Sequence, residues 1–126
     1  MFKPVSTSNA PAAIGPYSQA VDLGDLLFIS GQIPLDPVKM EFVSDDIEEQ
    51  THQVMKNVGA ILQEAGLSYH HIAKASIFLD SMDDFAKVND IYASYLSEPY
   101  PARAAVEVSK LPKGAKVEIE AIAVKK

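Results

Sequence analysis

The stretch "AKVEIEAIAV", residues 115–124, decides the fold. It alternates as a β-strand does, so neighbouring side chains leave on opposite faces. Val117, Ile119, Ala121 and Ala123 share one face, and Lys116, Glu118, Glu120, Ile122 and Val124 share the other. The first set can enter a core. The second mixes charge with two large apolar groups, and a face wholly in water has little use for Ile122 and Val124. That face fits a subunit contact with a polar pocket in it, and it predicts a homo-oligomer.

Upstream, "LLFISGQIP" (26–34) reads as a strand from Leu26 to Ser30 that stops at Gly31 and Pro34, with residues 17–23 as its hairpin partner across "LGD" (23–25). "NAPAAIGPYSQ" (9–19) reads as an ordered loop bent by Pro11, Gly15 and Pro16. From Asp46 to Ala65, apolar residues recur with a period near 3.6, which predicts a helix with acids at its positive end and Gly66 as its stop. "IAKASIFLDS" (72–81) reads as a strand, and "SMDD" (81–84) as a capping box opening a second helix over roughly 82–97. Phe85, Val88, Ile91, Tyr92, Tyr95 and Leu96 face inward on it. Two strands follow, 103–109 and 115–124. The order ββ(β)–α–β–α–β–β predicts one α+β domain over residues 1–126, in which two helices cover one face of a mixed sheet.

The bulk numbers narrow the function. A chain of 126 residues suits one domain with a real core. Its net charge of −6 argues against nucleic acid as partner, because such binding rests on phosphate neutralisation. Cysteine is absent, which removes disulfides, thiolate chemistry and cysteine metal clusters. No apolar run reaches the ~18–20 residues of a membrane span. The N-terminus lacks the apolar core of a signal peptide, so the expected compartment is the cytoplasm. His70 and His71 are adjacent in a turn and His52 has no partner one turn away, so no metal is expected.

One placement stands out. "EPYPARAAVEV" (98–108) delivers Arg103 into a strand of small apolar residues. Arginine is rarely buried without an anion. Alternation puts Ala105 and Glu107 on its side, and a short antiparallel pairing could bring it near the last strand or near a neighbouring subunit's. Two readings stay open on spacing alone. One is a structural Arg–Glu pair. The other is a clamp for a ligand carboxylate, which the guanidinium fork matches bidentately, with a nearby glutamate to activate water. Glu118 and Glu120 share a face and are either solvated or lysine-paired strand glutamates, or a paired-carboxylate site. Tyr17 is either a half-buried anchor or a ligand contact.

Several segments together resemble the RidA (YjgF/YER-type) family of reactive-intermediate deaminases: "APAAIGPYSQA" (10–20), "FISGQIPLDP" (28–37), "EEQTHQVMKNVGAILQEAG" (48–66), "FAKVNDIYASYL" (85–96) and "YPARAAVEVSKLPKGAKVEIEAIA" (100–123). The likeness runs along essentially the whole chain. It implies a chorismate-mutase-like fold, assembled as a homotrimeric barrel with sites in the clefts between subunits. It implies hydrolysis of 2-iminobutanoate and 2-iminopropanoate, or their enamine tautomers, to 2-keto acids and ammonia without cofactor or metal. By the matching motifs, Arg103 would hold the substrate carboxylate and Glu118 would position or activate water. Tyr17 would contact substrate, Gly31 would line the site, and Asn89 would lie near it. The main chain at Ala105 would face the ligand. Many relatives read "PARSCVEV" where this chain has "PARAAVEV", so Ala104 and Ala105 stand for serine and cysteine and no thiol role survives. The alternatives are a keto-acid-binding regulatory or stress protein without turnover and, against the acidic charge, an endoribonuclease or translation inhibitor.

Overall fold

The structure, a computed structural model, describes residues 1–125. Six strands form one sheet: β1 (Lys3–Val5), β2 (Ala20–Asp22), β3 (Leu26–Gln32), β4 (Ile72–Leu79), β5 (Ala102–Glu107) and β6 (Val117–Val124). Their order across the sheet is β1-β2-β3-β6-β4-β5. Only β4 and β5 run parallel; the other neighbours are antiparallel. Helices α1 (Ile47–Glu64) and α2 (Phe85–Ser94) pack against one face. None of the described helices is long and apolar enough to cross a membrane.

The central strand behaves as its alternation predicts. Val117, Ile119, Ala121 and Ala123 are buried beneath α1 with Leu27, Ile29, Ile77 and Leu79 from the neighbouring strands. On α1 the apolar stripe of Val54, Met55, Val58, Ile61 and Leu62 closes that core. The opposite face of the sheet carries no helix. Phe28 and Val106 are exposed on it, while Phe78, Glu118, Ile122 and Val124 are half-buried.

The local signals hold at α1. Asp46 caps it by accepting the Glu49 N–H at 2.9 Å. Gly66, at φ +78, reverses the chain so that Gly66 N–H reaches the Gln63 carbonyl and Leu67 N–H reaches the Leu62 carbonyl. That is a Schellman ending, which needs a left-handed residue. At the hairpin, Gly24 takes φ +97 and the Asp22 carboxylate accepts its N–H.

Other boundaries differ from the sequence reading. The partner strand of the hairpin starts at Ala20, not residue 17, because the chain before it is folded into the 9–19 loop. β3 continues through Gly31 to Gln32 over an irregularity between Ile29 and Gln32. Ser81 does not open a capping box: its hydroxyl accepts the Asp83 N–H, one residue short, and a tight 3₁₀ turn (Met82–Asp84) precedes α2. That helix ends at Ser94 rather than 97. The largest correction concerns Arg103. β5 does not pair with the last strand; it lies parallel to β4 at the sheet edge, with β4 between it and β6.

Three buried amides fix the loops at one end of the sheet. Gln19 donates to the Thr7, Ala10 and Pro11 carbonyls and accepts the Thr7 N–H. Asn57 donates to the Ile33 and Leu35 carbonyls. Gln50 donates to the Ser44 carbonyl and accepts the Lys116 N–H. Buried amides are tolerated because each polar atom is satisfied. Their effect is to fix loops 7–11 and 33–35, whose Pro11, Ile33 and Leu35 line one opening, and to tie the start of the last strand to α1.

Candidate functional site

The opening is a cleft of about 520 Å³ on the uncovered side of the sheet. Glu118 and Glu120 of β6, Ser30 and Gly31 of β3, and Tyr17 of the 9–19 loop line it, together with Ile14, Ile33, Leu35, Met40 and Lys113. Glu118 lies directly against Gly31. A Cβ built on that glycine would stand 2.2 Å from the Glu118 Oε2 and 2.9 Å from its Cδ. Here the need for glycine is close approach, not a special φ. Two causes push the Glu118 carboxyl above the ordinary glutamate range: first its burial, then the neighbouring charge of Glu120. The result is a carboxylate better suited to take a proton near neutral pH.

Arg103 sits elsewhere. Its guanidinium lies over the rings of Phe85 and Tyr92, 5.3 and 5.4 Å from their centroids, and one arm donates to the Asn89 carbonyl oxygen. All three partners are on α2, so Arg103 faces the helix side. With Asn89, Tyr92, Ala93, Tyr100 and Pro101 it lines a second opening. Among the described residues the one ion pair is Lys125–Asp22, so Arg103 has no carboxylate partner. This rules out the structural Arg–Glu pair within one chain. The fork keeps free donors, an exposed charge and an aromatic shelf that orients it.

The expected site residues therefore divide into two groups. Tyr17, Gly31 and Glu118 meet in one cleft, and Arg103 and Asn89 meet in the other. Ala105 is on the face of Arg103, half-buried against the core. Arg103 is level with Ala75, which is level with Ala121, three residues along β6 from Glu118. With strand spacing near 4.8 Å and a rise near 3.4 Å, the two Cα atoms are roughly 10 Å apart in each sheet direction, and the side chains leave opposite faces. No rotamer change joins them within one copy.

Phe85 and Tyr92 were legible only as inward helix residues; that they form a shelf for Arg103 needs the packing of β5 on α2. The Tyr92 hydroxyl is buried without a partner, and burial pushes its pKa up while Arg103 pulls it down. Gln19 and Asn57, which hold the cleft loops, lie within the segments that carry the family resemblance, but nothing in the sequence assigned them that part.

Comparison with known proteins places the chain in a family and agrees with its fold. The family described as Endoribonuclease L-PSP matches residues 7–125. A RutC family protein of Pyrococcus horikoshii is 54% identical over 125 residues, covering 99% of each chain. A Salmonella typhimurium protein named 2-iminobutanoate/2-iminopropanoate deaminase is 49% identical, covering 100% of both chains. The solved structure of a Rid family protein from Yersinia pestis superposes with a TM-score of 0.96 at 50% identity, over 98% of this chain and 99% of that one.

Two outcomes follow from the Glu118 contacts. Because its pKa is raised in the folded state, the folded protein holds that proton more tightly, and stability is lost as pH rises through the raised value. Glu118→Gln should therefore be more stable than the parent at pH 7 and lose that advantage below the ordinary glutamate pKa, as read by urea melts across pH. Gly31→Ala should leave the melting temperature within a few degrees while displacing the Glu118 carboxylate, seen as a changed Glu118 titration by NMR. By sequence and structure alike, the chain belongs to the RidA (YjgF) family.

Proposed function

We propose that this protein is a 2-imino acid deaminase that hydrolyses 2-iminobutanoate and 2-iminopropanoate, or their enamine tautomers, to 2-keto acids and ammonia. The observation that carries the reading is a division of labour across the sheet. An unpaired, ring-supported arginine faces one way and a desolvated glutamate faces the other. A relative that bears this activity in its name matches the chain from end to end.

The two halves complete one site if a second copy packs on the uncovered face. Its exposed Phe28 and Val106 and half-buried Phe78 and Ile122 supply the apolar area for such a contact. β5 is an edge strand with its outer backbone groups free to meet a ligand or a neighbour. We take the assembly to be a homotrimer working in the cytosol.

The chemistry then needs no covalent nucleophile. Arg103, held by Asn89 and its aromatic shelf, pairs with the substrate carboxylate and fixes C2. Glu118 from the adjoining copy takes a proton from water as the oxygen adds to the electrophilic C2. The proton passes to nitrogen in the resulting carbinolamine. The C–N bond then breaks as the hydroxyl gives its proton back to Glu118, ammonia leaves and the C2 carbonyl forms. Tyr17, which lines the same cleft as Glu118, hydrogen-bonds the adding oxygen. General-base assistance of this kind contributes ~10²–10⁴-fold. The raised Glu118 pKa means that activity falls, as pH drops, at a higher pH than an ordinary glutamate would give.

The test generates 2-iminobutanoate in situ with threonine dehydratase and traps it with semicarbazide. The protein should suppress semicarbazone formation. Arg103→Ala should lose suppression by at least ~10²-fold with the assembly intact by light scattering, and Arg103→Lys should recover only part of it, since an ammonium lacks the fork. Full activity in Arg103→Ala contradicts the assignment. No suppression by the parent protein, with 2-keto acids still binding, would favour a keto-acid sensor instead.

A further inference from the structure

Among the described residues, two that are not glycine hold a left-handed backbone: Met40 at φ +56 and Lys113 at φ +58. Both line the Glu118 cleft. Such a backbone is disfavoured for any residue with a Cβ, and methionine has no side-chain hydrogen bond to offset it. Strain of this kind persists where the surroundings enforce it and gathers at functional sites.

The turn around Met40 explains its φ. The Asp36 carboxylate accepts the N–H groups of Val38 and Lys39 at 2.8 and 2.9 Å. The Met40 N–H donates to the Asp36 carbonyl, and the Asp36 N–H donates to the Glu41 carbonyl, each at 2.8 Å. Together these bonds close a tight loop that requires a left-handed residue at position 40. Glycine meets that requirement without strain, so the turn does not explain the methionine. Its side chain does. Val38 and Lys39 of the same loop are exposed, whereas Met40 is half-buried and shares the cleft wall with Ile14, Ile33 and Leu35.

We infer that Met40 is a specificity-determining residue, whose thioether chain closes the apolar end of the Glu118 cleft and limits the length of the 2-imino acid side chain admitted there. The inference rests on the deaminase reading and adds to it the part of the substrate that this chain selects. The carboxylate belongs to Arg103 and C2 to Glu118. What remains of a 2-imino acid is its side chain, and the apolar wall is the surface left to receive it. A flexible, polarisable methionine suits that place, since it fills an irregular gap without demanding one shape.

The test uses the full-length protein and Met40→Gly, which keeps the turn and removes the side chain. Met40→Asn, which also tolerates the left-handed backbone, is the second variant. Imines are generated from alanine, 2-aminobutanoate, norvaline and norleucine with an amino-acid oxidase, and kcat/KM is read by semicarbazide trapping. Binding of the matching 2-oxo acids is measured in parallel by calorimetry. Both variants should raise the ratio of norleucine-derived to 2-aminobutanoate-derived turnover about tenfold or more, the scale on which one apolar contact discriminates. The melting temperature of Met40→Gly should hold or rise. A ratio within about twofold of the parent in both variants overturns the inference while leaving the deaminase reading intact. If the parent turns nothing over but its 2-oxo acid binding shifts to longer chains in both variants, the deaminase reading fails and the role of Met40 stands. Absence of both turnover and 2-oxo acid binding overturns both.

Discussion

β6 lies in the middle of the sheet, between β3 and β4, and every other part of the structure depends on its alternation. One set of its side chains has to be small and apolar to pack under α1. The other set cannot reach a helix, because two helices cover only one face. A carboxylate on that second face is neither solvated like a surface glutamate nor paired like a buried one. Glu118 is in that intermediate state, half-buried with a like charge two residues away, and its raised pKa is the consequence. The same alternation brings Glu118 over β3, where only glycine leaves room for it.

The rest of the molecule can be understood as support for that position. Gln19, Asn57 and Gln50 spend their hydrogen bonds on loop carbonyls and amides rather than on one another, so the loops that border the cleft are tied to the core. At the far edge, α2 gives Arg103 a stacked and hydrogen-bonded seat without neutralising it. Holding a cation without an anion costs little where one side of it stays in water. It leaves the guanidinium available to a carboxylate from outside the chain.

Much of this was legible in the residues. The alternation of 117–124, the stripe of α1 with its Asp46 cap and Gly66 stop, and the two-residue-scale turn at Gly24 are local signals, and the structure follows them. Arg103 was also legible as a charge out of place. Its surroundings were not, because they depend on pairings far apart in the chain. Nothing near residue 103 says that β5 pairs parallel with β4, and that pairing puts Arg103 and Glu118 on opposite faces. The need for glycine at position 31 depends on a glutamate 87 positions later. The left-handed backbone of Met40 was hidden for the opposite reason: the residue type speaks against it, and only the Asp36 turn enforces it.

In the proposed mechanism Arg103 and Glu118 act together only across two copies of the chain. The most direct measurement unfolds Arg103→Ala and Glu118→Gln proteins, each inactive alone, refolds them as an equal mixture, and assays imine hydrolysis. If each site takes its arginine from one copy and its glutamate from the next, random closed rings regain about a quarter of the parental activity, because one interface in four then holds both native residues. Activity no higher than that of the separate variants, with mixed assemblies verified by mass spectrometry, would contradict the account.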